Sequence, residues 1–249
     1  MAPKWQQLAD RLRGQIEDGT YPPGAVLPPM DDLVAQGAGA RATVHQAYRA
    51  LEAGGYVTMI RRRGTVVRDR TPIRVPLGRY GKVLRPGGTR GPWETATAAQ
   101  GLDGGMRLTD VATEVPPADV AAELGLPTDA LAVRRTRHAT IADTVVQIQY
   151  AWYPQDIAAV TGLDGAGKIT GGVFGAMTAA GMPPRTADEI VTARMPTTAE
   201  AAVLAIGQVI PVLYVQRITR DRAGRALECL RIIGTADRLR LVYDALPIR

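Results

Sequence analysis

The sequence predicts an α+β protein with two domains, a helical domain at the front and an antiparallel sheet with helices at the rear. Its 249 residues are enough for two hydrophobic cores. Apolar residues recur at helical spacing near the start of the chain, whereas β-branched residues fill paired strands in its second half. These observations divide the chain into a front domain (residues 1–70), a linker rich in Gly, Pro and Arg (71–105) and a rear domain (106–249).

Charge is distributed unevenly along the chain. Residues 1–75 carry 11 Lys and Arg against 7 Asp and Glu, whereas residues 106–249 carry 15 against 15. A basic front joined to a neutral rear favours a nucleic-acid-binding domain attached to a domain of another kind. The single cysteine cannot form an internal disulfide, and no apolar run approaches the length of a membrane span. We therefore expect a cytoplasmic protein with no membrane partner.

Residues 27–55 predict two short helices joined by a tight turn. The first helix runs from Leu27 to Gln36, Gly37-Ala38-Gly39 forms the turn, and the second helix runs from Ala40 to Ala53. The buried face of the second helix consists of Val44, Ala47, Tyr48 and Leu51. A helix-turn-helix of this kind places the start of its second helix in the DNA major groove. The alternative is an ordinary helical hairpin with a solvated polar face.

A helix precedes this pair and a β-hairpin follows it. The preceding helix has one apolar face, formed by Trp5, Leu8, Leu12 and Ile16. Residues 56–60 and 65–67 predict the two strands of the hairpin, with three consecutive arginines, 61–63, at its tip. Such a basic tip contacts phosphates or enters the minor groove when it follows a helix-turn-helix. A solvated loop is the alternative.

In their order and spacing, these elements resemble the winged-helix domain of the GntR family of bacterial repressors. The resemblance covers residues 4–67 without gaps, on QLADRLRGQIEDGTYPPGAVLP, LPPMDDLVAQGAGARATVHQAYRALEAGGYV and RRRGTVV. It implies a protein that binds double-stranded DNA. One recognition helix per chain favours a homodimer on a palindromic operator. The DNA-binding residues implied are Arg41, Thr43, His45, Arg49, Arg61, Arg62, Arg63 and Gly64.

Four positions depart from the family pattern. Asp31 stands where the family often has an arginine that contacts DNA, and a carboxylate there repels phosphate. Ala40 replaces the usual Ser or Thr cap, a loss of about 0.5–2 kcal/mol if nothing compensates. His45 replaces a frequent arginine, and Arg62 replaces a frequent glycine of the wing. The operator sequence and the affinity for it therefore stay open.

Beyond residue 106, strands alternate with helices. Period-two runs predict strands, and Pro, Gly and a Thr-x-x-Glu capping box mark helix ends. The predicted strands are residues 108–115, 131–141, 145–153, 184–195, 212–220, 225–234 and 238–245. The predicted helices are residues 117–124, 156–160, 170–180 and 197–204, the last two capped by Thr170 and Thr197. The linker is expected to be mostly irregular, with Arg79, Lys82, Arg85 and Arg90 either solvated or near DNA.

The rear half resembles the UTRA effector-binding domain of the HutC-type GntR regulators. The resemblance rests on stretches such as ADVAAELGL, VRRTRHA, IQYAWYPQDI and IPVLYVQRITRDRAGRALECLRIIGTADRLRLVYD. It implies a chorismate-lyase-like fold that dimerises and binds a small effector. Two alternatives to an effector-released repressor remain open. One is an effector-independent repressor of plasmid transfer genes, as in actinomycetes, and the other is a chorismate-lyase-like enzyme.

Two arginines in the rear domain are candidates for binding a small anion. Arg135 and Arg137 stand two apart on a predicted strand, so their side chains lie on one face. Two guanidinium groups on one face favour a phosphate, a carboxylate or a sugar acid. The alternative is a solvated strand face.

Three further residues complete the candidate effector site. The UTRA resemblance implies Glu228 as a pocket glutamate, with an ion pair to Arg217 or Arg231 as the alternative. Tyr150 and Trp152 share a strand face, and they either line the pocket or pack in the core.

We identify no catalytic, cofactor or metal site. His138 has no second ligand at metal-binding spacing, Cys229 has no base beside it, and the glycine pairs do not follow a phosphate-loop pattern. Together with the two resemblances, which imply a transcriptional repressor released by a small effector, the sequence predicts a regulator without a cofactor.

Overall fold

Helices dominate the front of the chain and strands the rear in a computed structural model, which describes residues 2–76, 91–167, 169 and 171–244. The predicted α+β class is confirmed. The chain forms two compact units, a front unit (residues 1–72 and 195–211) and a rear unit (73–194 and 212–249). The linker cations Arg79, Lys82, Arg85 and Arg90 lie outside the described residues.

Three helices and a β-hairpin form most of the front unit. They are α1 (Lys4–Glu17), α2 (Met30–Ala35), α3 (Arg41–Ala53), β1 (Val57–Ile60) and β2 (Gly64–Val67). Their apolar sides meet in one core. All four residues predicted for the inner face of α3 are buried, which confirms the helical period read from the sequence.

Helix α2 begins at Met30 rather than at Leu27, so the predicted start was wrong. Leu27 and Pro28 each precede a proline, and a proline ring disfavours the helical conformation in the residue before it. Pro29 becomes the N-cap, and the Leu27 N–H instead donates to the Thr65 carbonyl oxygen at 2.8 Å. This bond ties the segment before α2 to the hairpin.

A six-stranded antiparallel sheet is the centre of the rear unit, with the strand order β4-β5-β6-β9-β8-β7. Its strands are β4 (Gly104–Glu114), β5 (Ala132–Ile141), β6 (Thr144–Pro154), β7 (Thr186–Arg194), β8 (Val212–Arg220) and β9 (Ala226–Thr235). All six correspond to predicted strands. Two shorter strands, β3 (Ile73–Pro76) and β10 (Leu239–Val242), form a separate parallel pair.

Helices flank the sheet on both faces. They are α4 (Pro92–Ala98), α5 (Ala118–Leu124), α6 (Gln155–Thr161) and α7 (Gly172–Ala179), while α8 (Thr198–Val203) belongs to the front unit. Residues of α6 and α7 pack on one face, with Tyr153 and Ala151 of β6. Residues of α5 pack on the other face, with Trp152 of β6.

The helix caps test the sequence signals directly. The capping box at α8 is confirmed, because the Thr197 hydroxyl accepts from the Glu200 N–H at 3.2 Å and the Glu200 carboxylate accepts from the Thr197 N–H at 2.8 Å. Gly125 ends α5 in the left-handed conformation, with φ 66°. The cap predicted at Thr170 lies outside the described residues, and α7 begins after Gly171.

Part of the expected irregular linker is ordered. Ile73 and Val75 of β3 are buried and pair with β10, and Trp93 of α4 is buried and donates from Nε1 to the Thr140 carbonyl oxygen at 3.0 Å. The expectation of irregular structure was therefore wrong for these stretches. The last strand is also shorter than predicted and is parallel to its partner. Short segments of this kind gain their stability from distant partners rather than from local pattern.

Candidate functional site

The outer face of α3 is the first candidate site. Arg41, His45 and Arg49 are spaced four residues apart and are all exposed, so they form one stripe along the helix. We call these three residues the α3 stripe. Thr43 is only half-buried and packs against the turn, where a Cβ on Gly39 would come within 3.0 Å of its Cγ2. The structure thus brings three of the four predicted α3 residues into line and sets Thr43 beside them.

Buried contacts hold this helix in place from below. The Tyr48 hydroxyl donates to the Pro28 carbonyl oxygen, and burial raises the pKa of Tyr48 to about 12, so the hydroxyl stays protonated as a donor. The N-cap residue Ala40 makes no side-chain hydrogen bond. The first N–H groups of α3 are therefore left without a side-chain cap, and a helix start of this kind attracts phosphate.

Asp31 at the start of α2 forms an ion pair with Arg41. Arg41 Nη1 donates to Asp31 Oδ1, and the two side chains are 64% and 75% exposed. Asp31 was expected to repel phosphate; the structure adds that it engages the first arginine of the α3 stripe. Asp32, the next residue on the same helix, is exposed as well.

The hairpin β1–β2 is the wing predicted from the sequence. Its strands pair from Val57 opposite Val67 to Ile60 opposite Gly64, and the three arginines at its tip are exposed. Arg62 has φ 67°, in the left-handed region that favours glycine. The arginine that replaces the common wing glycine therefore keeps the backbone conformation of a glycine.

The second candidate site lies on the sheet face that α6 and α7 cover. Cross-strand pairing places Arg135 opposite Ala151, Ala151 opposite Leu230 and Leu230 opposite Arg217, so these four residues form one row on that face. Two arginines, Arg135 and Arg217, therefore stand in this row on strands from opposite halves of the sheet.

Further polar side chains share this face. We call the set the charged face, and its members are Arg135, Arg137, Tyr153, Arg217 and Glu228. Three of these, Arg135, Arg137 and Glu228, were predicted as effector-binding residues. The structure places all three on the same face of the sheet.

Arg135 is only 3% exposed and is satisfied by backbone oxygens. Its Nη1 donates to the Leu163 carbonyl oxygen at 2.8 Å and to that of Gly165, and its Nη2 donates to that of Gly167 at 3.2 Å. These carbonyls belong to the loop that follows α6. Burial lowers the pKa of Arg135 from its ordinary value. The guanidinium therefore binds this loop, and any anion that reaches it competes with three carbonyl groups.

Glu228 is 1% exposed and lies at the centre of a hydrogen-bonded cluster. Its carboxylate accepts from Arg217 Nη2 at 2.5 Å, from the Tyr153 hydroxyl at 2.7 Å and from the Thr219 hydroxyl at 3.3 Å. Burial raises the pKa of Glu228, but the charges of Arg217 and Arg137 outweigh burial and hold that pKa below its ordinary value. Glu228 is thus ionised, and of the two alternative partners it pairs with Arg217. Arg231 instead pairs with Asp119.

Arg137 differs from the other two arginines of the charged face. Its side chain is half-buried, and this side chain makes no hydrogen bond or ion pair to any residue that the structure describes. Its Nε is buried and has no partner among those residues. A buried donor left in this state costs free energy until water or a ligand meets it.

Tyr150 and Trp152 lie on the opposite face of the sheet, away from the charged face. Trp152 is buried beside Val120 and Cys229, with Tyr150 packed against the same cluster, and the two ring centroids are 6.0 Å apart. The structure does not bring them together with Arg135. Of the two uses left open, packing in the core describes their position, because successive residues of a strand point to opposite faces.

Two residues of the charged face were missing from the predicted site. Arg217 was considered only as an ion-pair partner, and Tyr153 was not considered. Strand alternation would have found Tyr153, since it stands two residues from Ala151, which pairs with Arg135. The contact of Arg217 with Phe174, whose ring centroid lies 5.2 Å from the guanidinium carbon, follows only from the packing of α7.

Three further findings concern Cys229, metal-binding side chains and the length of the helices, within the residues that the structure describes. Burial raises the pKa of Cys229 to about 12, so this thiol is not a nucleophile near neutral pH. No group of three His, Cys, Asp or Glu side chains is arranged as metal ligands within the described ranges. None of the described helices is long and apolar enough to cross a membrane.

Comparison with known families agrees with both halves of the chain. The model of the gntR family of bacterial regulatory proteins matches residues 4–67, and the model of the UTRA domain matches residues 99–240. An uncharacterised HTH-type transcriptional regulator of Streptomyces coelicolor is 34% identical, with 98% of this chain and 93% of the relative covered. Another, from Rhizobium meliloti, is 27% identical over 95% of this chain and 93% of the relative.

Solved structures show the same fold. A GntR-family transcriptional regulator superposes with a TM-score of 0.59 at 26% identity, covering 99% of this chain and 98% of its own. PhnF from Mycobacterium smegmatis has a TM-score of 0.59 at 24% identity, covering 98% of this chain and 100% of its own, and supports the fold alone. These families are regulators and not enzymes, which removes the lyase alternative. The chain therefore belongs to the GntR family, HutC subfamily, and is a DNA-binding transcriptional regulator with a winged helix-turn-helix and a UTRA domain.

Proposed function

We propose that this regulator is a repressor that binds a palindromic operator as a homodimer and leaves it when a small anionic effector binds the rear unit. The α3 stripe contacts bases and phosphates in the major groove, and Arg61, Arg62, Arg63 and Gly64 of the wing track the phosphates or the minor groove. We assign Thr43, which lies beside the stripe and is half-buried, to the same DNA-binding surface. The exposure of the α3 stripe and of the wing residues supports the assignment.

The observation that carries the effector part of the proposal is the state of Arg137. Its charge lies near Glu228 and Arg135, its Nε is buried, and it has no partner in the described part of the chain. An anionic group supplies what this donor lacks, and a guanidinium binds phosphate and carboxylate groups well. A sugar phosphate or a small hydroxy acid fits this chemistry.

The effector acts by binding one state of the dimer more tightly than another. A ligand that binds equally to both states shifts nothing. The coupling between effector and operator is typically about 1–3 kcal/mol and is the same in both directions. In the rear unit, the loop that Arg135 holds by three carbonyl groups is the element with which a bound anion competes.

The test uses the full chain and a ligand screen. Melting is measured with a panel of sugar phosphates and small carboxylic acids, and operator affinity is then titrated with and without each compound that raises the melting temperature. Arg137→Ala is expected to abolish both the melting shift and the release from DNA, with basal operator affinity unchanged. Arg107→Ala is the matched control, since Arg107 pairs with His138 and lies on the opposite sheet face. Equal loss in both variants contradicts the proposal.

A second candidate function, an effector-independent repressor, is favoured by a different observation. Arg135 is already satisfied by backbone carbonyls, and Glu228 is already satisfied by Arg217, Tyr153 and Thr219. When the donors and acceptors of a site are already hydrogen-bonded within the protein, fewer of them remain to bind a ligand. If no compound in the screen shifts melting and operator affinity is insensitive to all of them, this second function replaces the first.

A further inference from the structure

The ion pair between Asp31 and Arg41 lies at the start of α3, the helix proposed above to enter the major groove. Both side chains are largely exposed, and an exposed pair of this kind adds little to folding stability. A carboxylate on a DNA-binding surface also repels phosphates, which lowers affinity for every sequence. Asp31 and Asp32 both lie in the first turn of α2, where a carboxylate modestly stabilises the helix. Asp31 differs from Asp32 in its ion pair with Arg41, and helix stability does not account for that pairing.

We propose that Asp31 determines sequence specificity by positioning Arg41 and by contacting a base itself. This rests on the proposed assignment of α3 as the recognition helix. Arg41 is the first residue of α3, and the N-terminal residues of a recognition helix are those that reach base edges. A side chain fixed by a partner on α2 loses less conformational freedom when it binds a base.

The donors and acceptors of the pair define what it recognises. A guanidinium has five N–H donors, and the one hydrogen bond to Asp31 uses Nη1, which leaves Nη2 and Nε for O6 and N7 of a guanine. The second carboxylate oxygen, Asp31 Oδ2, remains an acceptor. In the major groove only cytosine N4 and adenine N6 donate, whereas guanine and thymine present acceptors.

The pair is thus suited to a guanine beside a base that carries an exocyclic amino group. A guanine or thymine at the neighbouring position brings O6 or O4 towards the carboxylate, which is unfavourable. Asp31 therefore discriminates between bases in two ways: it attracts the amino group of cytosine or adenine and repels the oxygen of guanine or thymine. The affinity that Asp31 loses on other sequences thus contributes to its selectivity.

The experiment uses the full-length protein and synthetic duplexes. A randomised duplex library defines the preferred site, and each single-base change of that site, together with an unrelated duplex, is then titrated at two salt concentrations. Asp31→Asn keeps the size of the side chain and removes the charge. Asp32→Asn is the matched control, because it removes the same charge from the next residue of α2, which forms no described ion pair with Arg41.

Asp31→Asn is expected to lose discrimination by about fivefold or more at one or two adjacent base pairs and to bind the unrelated duplex more tightly. Asp32→Asn is expected to keep the wild-type pattern of discrimination. If the two variants tighten binding equally and keep the same base preferences, Asp31 only repels phosphates and the proposal is overturned.

A third variant separates this outcome from failure of the recognition-helix assignment. If Arg41→Ala lowers discrimination while Asp31→Asn does not, the assignment of α3 stands and the role of Asp31 is wrong. If Arg41→Ala also leaves every base preference unchanged, α3 does not contact bases there, and the underlying assignment fails with it. Melting temperatures of all three variants are expected to stay close to that of the wild type, since all three side chains are exposed and a first-turn charge of α2 contributes little.

Discussion

The α3 stripe and the charged face both present arginines, but their surroundings are opposite. On α3, Arg41 and Arg49 are exposed, and the partner of Arg41 is itself exposed. On the sheet, Arg135 and Arg217 are nearly buried and are held by carbonyl groups or by Glu228. An exposed charged side chain can bind a partner from solution. A buried charged side chain is stable only when it is paired or hydrogen-bonded within the same chain. Mutations of the exposed arginines of α3 should therefore change DNA binding, whereas mutations of the buried and paired residues of the charged face should change stability.

The largest effect is expected at the centre of the charged face. Glu228→Ala leaves Arg217 buried without its carboxylate, and breaking a buried pair from one side costs about 3–5 kcal/mol in the free energy of unfolding. Chemical denaturation monitored by tryptophan fluorescence measures the loss. Asp156→Ala is the control, since its pair with Arg225 is exposed and is worth about 1 kcal/mol or less. Similar losses in both variants would show that the buried pair stabilises the fold no more than the exposed pair does.

The pH dependence of the free energy of unfolding tests the same comparison between buried and exposed charges. The pKa of Glu228 is lowered in the fold from its ordinary value of 4.5, so the folded chain binds this proton less tightly than the unfolded chain. The resulting stabilisation is present above pH 4.5 and is lost as the pH falls through the folded-state pKa. The stability difference between wild type and Glu228→Gln is therefore expected to stay constant from neutral pH down to the ordinary pKa of 4.5 and to shrink as the pH falls below it. A difference that grows on acidification would mean that the carboxyl is protonated in the fold.

The contrast also explains what could be predicted from the sequence. The buried residues of α3 recur with a period of 3.6 residues, so their positions can be predicted from the sequence. The residues at the remaining positions of the helix, including the α3 stripe, then face outward. Alternation likewise placed Arg135 and Arg137 on one face. The carbonyl groups that bind Arg135 come from a loop whose course depends on how α6 and α7 pack. No local pattern encodes such a contact, and the pairing of β3 with β10 was missed for the same reason.

Arg41→Ala tests the exposed side of the comparison. Loss of a good base contact is expected to weaken operator binding by about 1–3 kcal/mol, while the free energy of unfolding changes by about 0.5 kcal/mol or less. Titration with fluorescent operator DNA and denaturation of the same sample measure the two quantities. Arg13→Ala removes an equal charge from α1, where Arg13 pairs with Asp10, and is expected to leave operator binding nearly unchanged. Equal weakening in both variants would reduce the role of Arg41 to its charge alone.

The smallest effect is expected at the tip of the wing. Arg62 is both a proposed DNA-binding residue and a residue with a strained backbone. Arg62 has φ 67°, a conformation that costs a residue with a side chain about 1–2 kcal/mol relative to the right-handed region. Arg62→Gly removes this cost but makes the unfolded chain more flexible, so the net gain in stability is expected to be about 1 kcal/mol or less. If Arg62 contacts a phosphate, the same change lowers the salt dependence of DNA binding, by about 0.9 in the logarithmic slope.

Arg61→Gly removes the same charge from a neighbour that is not in the left-handed region, so it should lose stability rather than gain it. A gain in stability together with an unchanged salt slope for Arg62→Gly would show that the strained arginine does not contact DNA.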